Sequence, residues 1–308
     1  MDLPAAFVAS QQRGEASRRA WGGELRELAV EVTERWELRL DGGPRAGEAG
    51  VVIPVRTGDG RPAALKLQMP GSETTAAIIG LQSWDGRGMV RLLDSDADRG
   101  VMLLERLDGD RSLESVASED EATLVVGDLL RRLHAVPPPG DLPRLDLITA
   151  EMLDITPTAV QKLADREDRR RLLRWSCIVA ELQNDAGGRL LHWDLHFGNV
   201  LAAEREPWLG IDPEPLVGDP GFDLWPALDS GWSENPTAPQ AADVVRRRFD
   251  ILTQILELDR DRAFGWTLAR LMQNTLWDIE DGHTVISTAS KVVDDALRPG
   301  RRRAIPRA

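Results

Sequence analysis

The chain has 308 residues, 42% of them hydrophobic and 29% charged, a mix that can bury a sizeable core and that excludes a disordered or membrane-embedded chain. Its formal net charge is −13, and the five arginines of its end, RPGRRRAIPRA, conceal a still more acidic body, which argues against a nucleic-acid partner and suits a cationic ligand. No apolar run approaches the roughly 20 residues that span a bilayer, the start has no basic region before its apolar piece, and the single cysteine, Cys177, reads as a small buried hydrophobe. A cytoplasmic protein without a membrane partner is expected.

Trp21, Leu25, Leu28 and Val32 recur at helical spacing, and Trp36, Leu38 and Leu40 then alternate as in a strand before the turn DGG. Further strands are expected at GVVIPVR (50–56), PAALKLQ (62–68), MVRLLD (89–94) and GVMLLERL (100–107), with a helix at ETTAAIIGLQSW (73–84). This is a five-stranded, mostly antiparallel pattern with one inserted helix, and it makes residues 1–107 an N-terminal lobe ending in a hinge. Beyond Leu107 helical periods dominate, over 119–135, 156–184, 239–257, 260–279 and 284–297, interrupted by the short apolar pieces RLLH, NVLA and PWLGID. Residues 108–297 form a helical C-terminal lobe, and 298–308 read as a basic disordered tail. The fold class is α+β in two lobes.

The stretch LLHWDLHFGNVL (190–201) holds two of the four histidines, His192 and His196, with Asp194 and Asn199. A zinc pair, an acid/base site and a plain strand end all compete for it. Asp212 follows, closing the apolar piece WLGID. A loop holding Asp and Asn, then a strand ending in Asp, is what metal-assisted phosphoryl transfer needs. Asp194 would face the hydroxyl, while Asn199 and Asp212 would hold Mg²⁺ against the phosphates; base and amide lie five positions apart, as on a kinase catalytic loop.

Such a site also needs a cation for the phosphates of ATP. Only three lysines stand against thirty-five arginines, and one of them, Lys66, lies inside an apolar strand, where a compact ammonium can act as a point charge on phosphate oxygens. Glu73 is the only acid between Lys66 and Trp84 and is the default ion-pair partner, with a helix-dipole role as the alternative. Gly47 and Gly50 supply a turn that could cover phosphates. Backbone groups near Glu105 and Leu107 would meet the adenine, which makes side-chain identity there uninformative. Asp223, in GDPGFDLWPAL, is placed to bond the backbone of the catalytic loop.

In this order of parts the chain resembles the aminoglycoside phosphotransferases of the protein-kinase-like superfamily, from about Trp21 to Asp295. ALKLQMP, ETTAAIIGL, MLLERLDG, LHWDLHFGNVLAAEREPWLGIDPEPLVGDPGFDLWPALD and RLMQNTLWDIEDG are similar to the streptomycin-phosphorylating branch of that family. The resemblance implies a two-lobed kinase-like fold and transfer of phosphate from ATP to the streptidine 6-hydroxyl of streptomycin, hence antibiotic resistance. It implies Asp194 as base, Asn199 and Asp212 as Mg²⁺ positions and Lys66 as the phosphate-binding position. The family's acid partner for that lysine sits roughly where Ala77 stands, which leaves Glu73 one turn early. Trp193 stands where many relatives have glycine. A hydroxyurea kinase of the same branch and a non-catalytic nucleotide-binding sensor are the alternatives.

Streptomycin carries two guanidinium groups on the ring to be phosphorylated, so its site calls for carboxylates. Asp278, Glu280 and Asp281 in LWDIEDG are the expected acids, with Trp277 or Trp232 available to stack on guanidinium.

Overall fold

The computed structural model describes residues 16–47, 50–231 and 239–298; Trp232 and the basic end from residue 299 lie outside them. The chain divides into two compact units. One runs to Asp110 and takes in Ala202–Leu209; the other comprises Arg111–Leu201 and the chain from Gly210.

The first unit opens with helix α1 (Ala16–Arg35). Trp21, Leu25, Ala29 and Val32, spaced four, four and three apart, form its buried stripe. Strands β1 (Arg39–Leu40), β2 (Arg45–Ala46), β3 (Gly50–Arg56), β4 (Pro62–Gln68), β5 (Leu92–Asp96) and β6 (Val101–Glu105) make one antiparallel sheet in the order β1-β3-β4-β6-β5, with β2 also on β3. Six strands form where five are expected, because the short β2 pairs Arg45 and Ala46 with Val52 and Val51 while carrying no apolar alternation to announce it. The stripe of α1 packs with Val51, Ile53, Val55, Leu65, Leu67, Val101 and Leu103 in one core. At about 1.5–3 kcal/mol for each large apolar side chain buried, this core is what holds α1 to the sheet. Helix α2 (Ser72–Trp84) follows β4 and buries Ala76, Ala77, Ile78, Leu81 and Trp84.

Strand β7 (Asp108–Ser112) leads into the second unit. Its helices are α3 (Glu119–His134), α4 (Leu145–Lys162), α5 (Arg166–Leu182), the short α6 (Trp225–Asp229), α7 (Pro239–Ile255), α8 (Arg260–Glu280) and α9 (Thr288–Leu297). The single helix expected over 156–184 is two. Leu163 leaves the helix in extended conformation, and Asp165 caps the next one, its carboxylate accepting from the backbone N–H of Glu167 and Asp168. Between α5 and α6 the chain forms β8 (Arg189–Leu191), β9 (Val200–Ala202), β10 (Trp208–Gly210) and β11 (Leu216–Gly218), with β8 and β11 antiparallel. Gly127 of α3 lies so close to α7 that a Cβ would come within 2.7 Å of Ile255, so glycine sets that helix contact.

Cys177 is exposed. The buried face of α5 runs through Arg171, Leu172, Trp175 and Val179, and Cys177 is out of phase with it. Among the described residues, no helix is long and apolar enough to cross a membrane.

Candidate active site

In the second unit, β8 delivers the chain into the loop His192–Asn199, which ends in a short 3-10 turn before β9. Beneath the loop lies Asp223, fully buried. Its Oδ2 accepts from the His192 N–H at 2.9 Å and from His134 Nε2 at 2.8 Å, and its Oδ1 accepts from the Trp193 N–H at 2.5 Å. Burial pushes the Asp223 carboxyl up, but the hydrogen bond and charge of His134, with the donors from His192, outweigh it and hold the group below the usual carboxylate range. Asp223 is thus the loop's buried anchor.

Both ring nitrogens of His192 are used inside the site: Nε2 donates to the Ile211 carbonyl at 3.0 Å, and Nδ1 accepts from the Asp194 N–H at 3.2 Å. Burial lowers its pKa to about 4, so it stays neutral near pH 7. His196 accepts from the Gly198 N–H through Nδ1 at 3.0 Å, capping the 3-10 turn, and its Nε2 lies 3.8 Å from Asp194 Oδ2. Among the described residues no cluster of three His, Cys, Asp or Glu side chains is arranged to hold a metal. Each histidine is tied into the loop by hydrogen bonds of its own ring.

Asn199 Nδ2 donates to the Asp194 carbonyl at 2.9 Å and to Asp194 Oδ2 at 3.1 Å. With the amide nitrogen so committed, the amide oxygen is the end left for a cation. The Asn199 carbonyl accepts from the Ile211 N–H at 2.9 Å, which brings the next residue, Asp212, alongside. Asp212 sits in the left-handed region, φ 52°. One carboxylate and one amide oxygen fit Mg²⁺, a hard cation that is held by few protein ligands together with phosphates.

Residues that the sequence did not single out complete this side. Arg270, in the middle of α8, is almost fully buried; its Nη1 donates to Gln273 Oε1 at 3.2 Å and to Asn274 Oδ1. Its guanidinium lies 5.5 Å from the Trp193 ring centroid and 5.3 Å from that of Trp277. Burial lowers its pKa to about 10, against the charges of Asp194, Glu214 and Asp223, so it remains a cation. A signal existed: Arg270 falls in the apolar phase of WTLARLMQN, where only a partnered charge persists. Trp277, 44% exposed, therefore already carries a guanidinium from its own chain. Of the acids beside it, Asp278 is half-buried, and burial pushes its carboxyl up, while Glu280 and Asp281 are exposed at the end of α8.

In the first unit, Lys66 is 7% exposed on β4, which lies between β3 and β6, with Val52 and Met102 opposite it. It is a central-strand lysine and not a surface one. Glu73 stands exposed in the first turn of α2. The helix phase turns its neighbour Thr74 inward, where Thr74 Oγ1 accepts from Gln68 Nε2 at 2.7 Å, and Glu73 is placed in the first turn, where a carboxylate suits the helix dipole. Gly50 begins β3 where a Cβ would come within 2.3 Å of the Leu67 carbonyl, a packing need of the sheet; Gly47 donates to the Gly50 carbonyl at 2.9 Å.

Leu107 is half-buried. The side chain of Glu105, expected to be uninformative, is an anchor. Its Oε1 accepts from the Arg91 N–H at 2.9 Å and from Arg205 Nη2 at 2.8 Å, and Oε2 from Arg205 Nε at 3.0 Å. Through this pair the segment Ala202–Leu209 is held within the first unit.

An antiparallel sheet with one inserted helix, then a helical unit carrying an Asp-Asn loop and a following Asp, defines a kinase-like small-molecule phosphotransferase. Residues 35–282 match the aminoglycoside/hydroxyurea antibiotic resistance kinases. The chain is 59% identical over 296 residues to a streptomycin 6-kinase of Streptomyces griseus, covering 96% of each, and 45% identical over 300 residues to a hydroxyurea phosphotransferase of Kitasatospora aureofaciens, covering 96% of this chain and 86% of that one. A spectinomycin phosphotransferase crystallised with ADP and spectinomycin shares the fold, with a TM-score of 0.55 at 13% identity over 89% of this chain and 94% of its own. The chain belongs to the aminoglycoside/hydroxyurea antibiotic resistance kinase family.

Proposed function

We propose that the chain transfers the γ-phosphoryl group of ATP to the streptidine 6-hydroxyl of streptomycin, and so confers resistance inside the cytoplasm, where ATP is available. The observation that carries this reading is the 59% identity to the Streptomyces griseus streptomycin 6-kinase across 96% of both chains. The site chemistry supports it. Asp194 takes the proton of the attacking hydroxyl, the bond from phosphorus to the ADP oxygen breaks, and a bond to the acceptor oxygen forms. Asn199 orients the Asp194 carboxylate through Oδ2 and, with Asp212, offers the oxygens that suit Mg²⁺. Bound Mg²⁺ would neutralise charge developing on the transferred phosphate. Lys66 supplies a fixed cation for the phosphates of ATP.

For the acceptor, the carboxylates of Asp278, Glu280 and Asp281 suit paired hydrogen bonds to guanidinium groups. Hydroxyurea needs no such acids, yet the 45% identity to a hydroxyurea phosphotransferase makes it the second reading. Incubation with labelled ATP and either compound decides between them: faster transfer to streptomycin is expected, and faster transfer to hydroxyurea would overturn the assignment. Converting the three acids to amides should raise the KM for streptomycin by roughly tenfold or more, one charge-assisted pair being worth that much, with nucleotide affinity kept.

A further inference from the structure

Trp193 sits at φ 70°, in the left-handed region that a bulky side chain enters only under strain. Its N–H is fixed by the buried Asp223, so the backbone bond there would serve glycine equally well. The indole must therefore return something that glycine cannot. Its ring meets Trp277 at a centroid distance of 6.0 Å and Phe222 at 6.4 Å, both tilted, and Arg270 lies against Trp193 and Trp277 together. The tryptophan pair thus already binds one guanidinium, from its own chain. Trp277 leaves 44% of its surface exposed, and the residue after Trp193 is Asp194.

We propose that Trp193 is a specificity-determining residue: its indole, held by Arg270 and Trp277, is the wall against which a guanidinium-bearing acceptor ring lies when its hydroxyl reaches Asp194. Arg270 is the positioning residue of this unit. Its planar fork fills the inner side of the aromatic pair, braces the strained backbone and leaves the outer side to the acceptor. The proposal rests on the streptomycin reading above.

The test compares the parent enzyme with Trp193→Gly, which removes the ring and the backbone strain together. The affinity for a non-hydrolysable ATP analogue should match the parent's, while the KM for streptomycin rises roughly tenfold and that for hydroxyurea does not rise. A streptomycin KM within about twofold of the parent's overturns the proposal. If the glycine variant fails to fold, Trp193→Phe keeps the packing with a smaller aromatic face: a KM raised severalfold at unchanged kcat supports the wall, and an unchanged KM overturns it. Absence of streptomycin turnover in the parent would instead overturn the functional reading, which keeps the two failures distinguishable.

Discussion

Asn199 donates from one amide nitrogen to both the carbonyl and the carboxylate of Asp194, at 2.9 and 3.1 Å. The two residues thereby act as one unit, in which the amide orients the carboxylate and turns its own oxygen away from it. Asp194→Asn leaves this geometry nearly intact but cannot accept the hydroxyl proton. Turnover should fall by roughly 10²- to 10⁴-fold, with nucleotide-analogue affinity and melting temperature kept. Retention of turnover within tenfold of the parent, roughly the least that loss of a general base costs, would remove Asp194 from that role.

Lys66 and Glu73 should behave independently. Lys66→Ala removes a buried cation and should lower kcat/KM for ATP by roughly 10- to 100-fold, the worth of one charge-assisted contact. Glu73→Ala touches an exposed first-turn residue and should change little. A double-mutant cycle on kcat/KM checks this, and additive effects are expected. A coupling energy above about 0.5 kcal/mol would establish Glu73 as the partner of Lys66.

Glu105→Gln should destabilise the protein by about 1–3 kcal/mol. It weakens a two-pronged pair with Arg205, in which the Arg205 side chain is 21% and the Glu105 side chain 18% exposed, and leaves Glu206, 2.7 Å from Arg205 Nη1, as the guanidinium's remaining carboxylate partner. Urea unfolding measures the loss. Equal midpoints for parent and variant would mean that the Ala202–Leu209 segment does not depend on this pair.

Asp229 supplies a pH test. Among the described residues its Oδ1 is buried without a hydrogen-bond partner, and burial pushes its pKa from 3.8 to about 6, against the pull of Arg248 and His196. A folded-state pKa above the unfolded one means that the folded state holds the proton more tightly. The resulting stability is complete below pH 3.8 and is lost as pH rises through about 6. Asp229→Asn should therefore stabilise the protein at pH 7 by about 2–3 kcal/mol, and the advantage should vanish toward pH 4. A pH-independent difference between parent and variant in thermal melts would contradict this.

Much of the site was legible because its parts are local. Asp194 and Asn199 share one loop, the short strand before Asp212 follows within the same stretch, and Lys66 announces itself as a rare cation in an apolar run, so each carries its meaning in its immediate neighbours. The buried stripe of α1 is read the same way, since 3.6-residue periodicity is a property of the segment itself. Other assignments depend on which face of an element the rest of the chain covers. Glu73 and Thr74 are adjacent in sequence, and only the packing of α2 turns Thr74 inward and Glu73 to solvent. Cys177 lost its expected burial by the same rule of phase. Arg270 between Trp193 and Trp277, and Glu105 with Arg205 a hundred residues away, are contacts between distant segments. They exist because a buried charge must find aromatic faces, amide oxygens or a counter-ion wherever the fold supplies them. No spacing along the chain encodes where that will be, and the left-handed backbone of Trp193 is likewise held by Asp223 from a different part of the second unit.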